Sequence, residues 1–463
     1  MSVLFASSEI YPYAKSGGLA DVADALPEAL KKSINISRVM PLYSFMDVKK
    51  FKLYTSYSVK IATIVYDIEV FSLKKNEITS YFIKAPHLST TEMMYGSKES
   101  DYENNDLRFA LFSMAIVKLA QELDIKVLHL NDWHTALAAL YVKEFALNIR
   151  VIFTIHNLAY QGLFAEHTLC KIGLNKKYFH LDALEFYNKV NFLKAGIAYS
   201  DVVTTVSPTY AKEILTREFG CGLDGFLNYH KEKLYGILNG INVTRFNASK
   251  DKMIVHNYDR NSLEKKHDNK IDFIQHSTLK DPRKPLFVMV ARLVQQKGIS
   301  LILDSFEELV SQNINLFILG EGDKTISQKF TMLALQHSNF EYFDGYDEAL
   351  SHKTYAAADF VLIPSIFEPC GLTQLIAMEY GAIPIVHAVG GLKDSVYENG
   401  TLCGEGIVYE NQNREEFLFA IQRALKLKKN GKKLKKKRVH NMGCDFSFTP
   451  SALEYLKLYK SEL

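Results

Sequence analysis

Short apolar runs alternate with helical patterns over most of the chain. VLFA (Val3 to Ala6) predicts a strand, and Leu19 to Leu30 an amphipathic helix behind it. VLHL (Val127 to Leu130) precedes a helical run from Thr135, and RVIFTI (Arg150 to Ile155) and DVVTTV (Asp201 to Val206) read as further buried strands. The pattern restarts with LFVMVA (Leu286 to Ala291), followed by a helix from near Gly298. LFILG (Leu316 to Gly320), DFVLIP (Asp359 to Pro364) and IPIVHA (Ile383 to Ala388) continue it. Continuous β-branched runs alternating with helices predict parallel sheets covered on both faces. The intervening stretch, Phe246 to Arg283, is rich in Asn, Asp and Lys and reads as a connecting segment. The expected fold class is therefore α/β, with two Rossmann-like, doubly wound domains facing a central cleft. Residues 1–243 form the first domain, 244–445 the second, and 446–463 a closing segment.

Composition narrows the classes. A chain of 463 residues is too long for one ordinary core. Its 55 Lys+Arg nearly balance 52 Asp+Glu, so no global charge favours nucleic acid. The apolar patch near Ala110 to Ala120 is broken by Ser113 and Lys118 and is too short to span a bilayer. No basic region precedes the first apolar residues, as a signal peptide requires. The five cysteines, Cys170, Cys221, Cys370, Cys403 and Cys444, form no CxxC. A reducing compartment without disulfides or a structural zinc site is expected, and the cytoplasm is the default location.

In doubly wound sheets ligands sit beyond the carboxyl ends of the strands, so chemistry should follow strands directly. It does. After the first strand, YAKSGGLADV places Lys15 and two glycines before a helix. Gly17 and Gly18 would permit positive φ and close backbone approach, and free helix amides would face a diphosphate. A tight turn with a solvated lysine fits the same residues. After VLHL comes NDWH, with Asp132; after VIFTI comes HNLAYQG, with His156. His129, Asp132 and His134 make a poor metal trio, because a strand need not turn His129 toward the other two. In the second half, ARLVQQKG puts Arg292 past a strand and Lys297 at a helix start, two cations suited to one anion. After DFVLIP, SIFEPCGL carries Glu368, with a helix expected near Leu372. A carboxylate there would hold sugar hydroxyls while the Leu372 and Thr373 amides bind phosphate. Anion-binding strand ends on both domains imply a nucleotide-diphosphate compound.

KSGGLADV with the upstream SSE, LNDWHTALA, TIHNLAYQG, EFGCGLDG, ILNGIN, RLVQQKG and FEPCGLTQLIAMEYGAIPIV resemble, in order, the signatures of bacterial glycogen synthases and plant starch synthases. The resemblance extends to FSFTPSALEYLKLY, similar to that family's closing helix. It implies a GT-B fold whose last helix crosses back to the first domain. It implies transfer of glucose from ADP-glucose to the non-reducing 4-OH of an α-1,4-glucan such as glycogen or a maltooligosaccharide primer, with retention. No metal or other cofactor is implied, in keeping with the lack of an Asp-x-Asp. Carried over, Lys15 and the Gly18 amide would meet the diphosphate or donor sugar, and Asp21 would lie on the acceptor side. Asp132 and His156 would contact the glucosyl group, and Asn239 would support the sugar site. Arg292 and Lys297 would neutralise the leaving ADP. Tyr346 of GYDEA would stack on adenine, and Glu368 would bind the 3- and 4-hydroxyls in a loop lined by Cys370, Gly371, Leu372 and Thr373.

Asn242 stands where the family commonly has aspartate, a position read as a hinge or cap. The rival enzyme reading is a UDP-glucose-dependent or other retaining GT-B transferase; the rival of another class is a non-catalytic glucan-binding protein. A dinucleotide oxidoreductase is disfavoured, since neither domain opens with a clean G-x-G-x-x-G. The basic run KLKKNGKKLKKKR (Lys426 to Arg438) reads as a solvated helical face broken at Gly431.

Overall fold

Alternation of side chains across a strand explains the two large sheets seen in the computed structural model, which describes residues 1–97, 100–398 and 403–461. The chain divides into two units. One is Met1–Asn239 with Phe448–Leu463, the other Gly240–Ser447. The sequence-based changeovers at 243/244 and 445/446 lie inside the second unit. There the incoming and outgoing segments pair: the Ile241 amide donates to the Phe446 carbonyl at 2.8 Å, and Ile241 bridges Ser447.

The first unit contains β1 (Ser2–Ala6), β2 (Asn35–Pro41), β3 (Lys52–Ile61), β4 (Ile64–Lys75), β5 (Ile78–Lys84), β6 (Val127–Asn131) and β7 (Arg150–Ile155). β8 (Leu163–Ala165), β9 (Glu185–Phe186) and β10 (Lys189–Asn191) form a small separate sheet; β11 (Val202–Thr205) and β12 (Leu234–Gly236) return to the main one. The main sheet runs β12-β11-β7-β6-β1-β2-β5-β4-β3. It is parallel from β12 to β5 and ends in an antiparallel edge made by β4 and β3. The sequence reading missed β2 to β5. β3 and the start of β4 leave Tyr54, Ile64 and Val65 exposed, so the edge lacks the unbroken apolar signal of a strand buried on both faces. The Thr449–Lys460 helix belongs to this unit: Tyr455 and Tyr459 are buried in one core with Val3, Phe5, Val22 and Leu26.

The second unit carries β13 (Leu286–Val290), β14 (Asn315–Gly320), β15 (Phe340–Asp344), β16 (Phe360–Ile363), β17 (Ile383–His387) and β18 (Ile407–Tyr409), all parallel, in the order β15-β14-β13-β16-β17-β18. Period-two alternation splits the inner strands between two cores. Leu286 and Val288 join one and Phe287 and Met289 the other; Phe317 and Leu319 oppose Leu316 and Ile318. Chain order reverses between β13 and β16, where such sheets open a crevice. The expected connecting segment 246–283 is instead part of the core. It contains the Glu264–Gln275 helix and buries Ile254, Tyr258, Phe273, Ile274 and Leu279; its polar residues misled because the apolar ones are widely spaced. Among the described residues no helix is long and apolar enough to cross a membrane.

The basic run is only partly solvated. It falls in two helices, Arg414–Lys429 and Gly431–Asn441, and Asn430 caps the second by accepting from the Lys433 amide. Lys426, Lys429, Lys432, Lys433, Lys435 and Lys436 are exposed. Lys428 and Arg438 turn inward to Asp359, at 2.6 and 2.7 Å, where Lys270 also binds at 2.7 Å. Asp359 is 3% exposed and accepts from the Leu286 amide as well. Burial alone would raise its carboxyl pKa. The charges of Arg438, Lys270 and Lys428 outweigh burial and hold it well below the usual value. Removing one partner from a buried charge cluster leaves the others uncompensated. Asp359→Asn should therefore cost about 3–5 kcal/mol in urea unfolding at neutral pH. Because the folded carboxyl is depressed, this contribution is present above the unfolded value and vanishes as pH falls through the folded one. The gap between wild type and variant should accordingly close in acid; a gap independent of pH would mean the charges are not coupled to folding.

Candidate active site

In the first unit the loops after β1, β6 and β7 meet. Asp132 follows β6 and caps the start of the Trp133–Glu144 helix with φ 55° and ψ 178°, a conformation that a non-glycine residue holds only at a cost of about 1–3 kcal/mol. The strain aims its side chain back at the end of β7. Its Oδ1 accepts from the His156 amide at 2.8 Å, and the Asn157 amide adds a second bond. Asp132 is 8% exposed, and burial raises its pKa from 3.8 to about 7 against those amide bonds; Glu9 nearby pushes the same way. Asn131 spends its Nδ2 on the Ala6 carbonyl at 2.9 Å, so its Oδ1 accepts from His156 Nε2 at 2.8 Å. Burial lowers the His156 pKa, so the imidazole is neutral, with its proton on Nε2. Trp133 packs rather than facing outward: it stacks on His134 with ring centroids 4.0 Å apart, and its ring lies where a Cβ on Gly162 (φ 64°) would stand.

The glycine-rich turn differs from expectation. Neither Gly17 nor Gly18 has positive φ: Gly17 is near-extended at φ −157°, and the helix runs from Gly18 to Leu30. A Cβ on Gly17 would meet nothing within 4 Å among the described residues, so its smallness leaves open space beside the helix start. The loop's own anion is Glu9. This buried carboxylate accepts from the Ser16 amide at 2.5 Å, the Ser16 hydroxyl at 2.8 Å, the Gly17 amide at 3.3 Å and the Tyr95 hydroxyl at 3.0 Å. Glu9 was missed as a site residue although it closes the SSE motif; nothing local shows that it folds back onto the turn. Lys15 pairs with Asp21 at 2.8 Å. Asn239 follows β12, and its Oδ1 is buried without a hydrogen-bond partner among the described residues. His129 is engaged elsewhere, between Tyr459 and Thr154, both at 2.7 Å, which removes it from any trio with Asp132 and His134.

In the second unit the loops after β13 and β16 flank the order reversal. Gly298 (φ 68°) lies so close to the Pro364 carbonyl that any Cβ would collide with it. This approach lets Gln296 accept from the Ile366 amide at 2.9 Å and donate to the Phe367 carbonyl at 3.2 Å. The loops are thereby fastened with Lys297 Nζ 2.6 Å from Glu368 Oε2, which also accepts from Ser365 Oγ at 2.8 Å. Glu368 is 5% exposed. Arg292, Lys297, Ser365, Glu368, Gly371 and Thr373 line one cavity of about 170 Å³. Arg292 is exposed, with no ion pair among the described residues. Gly371 has φ 73°, and its Cα faces the Glu368 and Gln374 side chains. Cys370 is buried beside it, with its carbonyl accepting from Gln374 at 3.1 Å. The helix starts at Thr373, with Leu372 at its cap. Tyr346 does not line this cavity and is 53% exposed past β15. Ser365 and Gln296, unassigned in sequence, are what position the carboxylate and the lysine. Asn242 caps its turn, its Oδ1 accepting from the Thr244 amide and hydroxyl and the Arg245 amide.

Two Rossmann-like units, each with polar groups gathered at strand ends, and a cation pair beside a buried carboxylate in one of them, define a glycosyltransferase of the GT-B type, an enzyme that transfers hexosyl groups. Residues 2–229 match the starch synthase catalytic domain family, and residues 270–439 the group 1 glycosyl transferases. The chain belongs to the glycogen synthase and starch synthase family. It is 42% identical to the glycogen synthase of Aquifex aeolicus over 99% of both chains. It is 41% identical to that of Pasteurella multocida, again over 99% of each. The catalytic domain of starch synthase IV from Arabidopsis thaliana, bound to ADP and acarbose, superposes with a TM-score of 0.91 at 33% identity, covering 99% of this chain and 98% of that one. Sucrose-phosphate synthase from Thermosynechococcus elongatus, at 17% identity and a TM-score of 0.65, shares the fold.

The raised Asp132 pKa makes a stability prediction. A carboxyl that holds its proton more tightly when folded stabilises the fold below its unfolded pKa and loses that contribution as pH rises toward the folded one. Asp132→Asn keeps the amide bonds and removes the titration. The melting temperature of the wild type should therefore fall relative to Asp132→Asn between pH 4 and pH 7, and parallel profiles would show that Asp132 is ionised throughout.

Proposed function

We propose that the enzyme transfers glucose from ADP-glucose to the non-reducing 4-OH of an α-1,4-glucan, glycogen or a maltooligosaccharide, with retention at the anomeric carbon and without a metal cofactor. The observation that carries this reading is the Lys297–Glu368–Ser365 arrangement beside Arg292 in a cavity at the β13/β16 reversal. ADP in the Arabidopsis starch synthase IV structure supports an adenine nucleotide as leaving group.

In the proposed reaction positive charge grows on the sugar and negative charge on the departing diphosphate. Arg292 and Lys297 neutralise the diphosphate, and the Leu372 and Thr373 amides add donors. Fixed donors of this kind are worth roughly 3–4 kcal/mol each where water is excluded. Binding exchanges partners. Lys297 leaves Glu368 for phosphate, and Glu368 turns its lone pairs to the 3- and 4-hydroxyls, with Ser365 still holding it. Cys370 and Gly371 shape this loop, and Tyr346 stacks on adenine. On the first unit Lys15 and the Gly18 amide meet the diphosphate or donor sugar, and Asp21, released from Lys15, serves the acceptor side. Asp132 and neutral His156 contact the glucosyl group near C6 and C1, and Asn239 gives its unpartnered Oδ1 to the sugar site. Glu368 is committed to the hydroxyls, and no other carboxylate among the described residues is assigned the part of a nucleophile. The acceptor therefore attacks the face that ADP leaves, a phosphate oxygen takes its proton, and the His156 carbonyl stabilises the cationic carbon.

Labelled ADP-glucose and UDP-glucose, supplied separately with glycogen primer, test the donor. Label should enter glucan from ADP-glucose far faster; preferential use of UDP-glucose would overturn the donor assignment, and no transfer from either would overturn the activity. Lys297→Ala should lower kcat by about 10²–10³-fold with little change in glucan affinity, whereas equal losses in both would make the lysine structural. Replacing exposed Lys432, Lys433, Lys435 and Lys436 by Gln should leave activity on short maltooligosaccharides intact; its loss would place the basic face in catalysis.

A further inference from the structure

The cysteine spacing contains no zinc pattern, yet folding brings two cysteines and a histidine together near the exit of the second unit. We propose that Cys403, His440 and Cys444 form a zinc-binding site. Their ligand atoms, two Sγ and one imidazole nitrogen, all lie within 4.8 Å of one another. Zinc–sulfur bonds of about 2.3 Å and zinc–nitrogen bonds of about 2.0 Å at tetrahedral angles require ligand atoms about 3.5–3.8 Å apart. Small side-chain rotations reach that spacing.

Hydrogen bonds hold the backbone that carries the three residues. His440 lies in the last turn of the Gly431–Asn441 helix, and the turn continues through Gly443 amide to His440 carbonyl and Cys444 amide to Asn441 carbonyl, both 3.0 Å. The turn brings Cys444 back beside His440, its Sγ 3.4 Å from the His440 carbonyl. Cys403 comes from a separate loop turned sharply at Gly404 (φ 97°), where any Cβ would strike the Ser395 carbonyl. That loop is clamped to the helix. Buried Asn441 accepts from the Glu405 amide at 2.7 Å and donates to the Glu405 carbonyl at 2.8 Å, while the Glu405 carboxylate pairs with Lys437. The neighbouring carboxylate is thus committed, and the donor set is two sulfurs and one nitrogen.

Thiolates with imidazole suit zinc better than magnesium or calcium, which prefer oxygen. Cys403 is exposed and the other two are part-buried, so an ion enters from solvent and water completes the fourth position. Binding releases the two thiol protons to solvent and joins the loop at 403 to the helix end just before the chain leaves this unit. The site's role is structural and does not depend on the donor assignment.

The test uses the full chain, stripped with a chelator and kept reduced with a phosphine, then titrated with Co²⁺ and back-titrated with Zn²⁺. One equivalent of Co²⁺ should produce thiolate-to-metal charge-transfer absorption and intense tetrahedral d–d bands, both abolished by Zn²⁺, and Zn²⁺ should raise the melting temperature. Cys403→Ser, His440→Ala and Cys444→Ser should each weaken binding by at least roughly tenfold with an unchanged far-ultraviolet circular dichroism spectrum, and Cys170→Ser should change nothing. The inference is overturned if no stoichiometric binding occurs, if the charge-transfer band survives in Cys403→Ser/Cys444→Ser, or if peptide mapping of protein isolated without reductant finds these two sulfurs joined as a disulfide in place of metal.

Discussion

A carboxylate withdrawn from water must be met by donors, and each unit is organised around such a group at a strand end. In the first unit it is Asp132, held by two amides from the loop after β7 at the expense of a strained backbone. In the second it is Glu368, held by Lys297 and Ser365. The donors come from different loops, so satisfying one oxygen fixes the relation between strand ends that are distant in sequence. Parallel sheets make this possible, because all their carboxyl-end loops emerge on one edge. The polar groups are thereby oriented before any ligand arrives, which is the condition for electrostatic stabilisation without reorganisation.

The ion pairs serve two ends that geometry separates. Asp359, with three cations around it, lies at the amino end of β16 and ties the Glu264–Gln275 helix and the basic helices to the sheet. Lys297–Glu368 lies beyond the carboxyl end of the same strand. The first cluster is closed: its carboxylate oxygens are occupied by protein donors. The second opens on a cavity with Arg292 exposed at its wall. Closed charge networks hold a fold, and open ones have capacity left for a ligand.

Small residues act in the same way in both units. Gly298 admits the Pro364 carbonyl, and Gly162 admits the Trp133 ring. In each case the missing Cβ is the space another group occupies. Gly17 is different: the space beside it is open, and its backbone conformation needs no glycine. Sequence shows only a glycine in each place, and packing distinguishes one that accommodates the protein from one that leaves room outside it.

By itself the sequence determined the two-sheet α/β class, the strands buried on both faces and the strand-end positions of Lys15, Asp132, His156, Arg292, Lys297 and Glu368. Each of these rests on local pattern: continuous apolar runs, followed at once by polar residues. Its ordered motifs also carried the family. What it left undetermined were properties of distant partners: Glu9 folding back onto the Ser16 and Gly17 amides, Ser365 and Gln296 positioning the lysine–glutamate pair, Lys428 and Arg438 turning inward to Asp359, and Cys403 meeting His440 and Cys444. Strands β3 and β4 and the 246–283 segment were missed for a related reason, since their burial is one-sided or sparse, while β2 and β5 are mostly buried but carry polar residues such as Ser37, Arg38, Thr79 and Ser80 inside their apolar runs. Tertiary structure alone decided these points, because a charge, a thiol or a polar edge acquires its meaning from what stands across from it, and chain proximity does not record that.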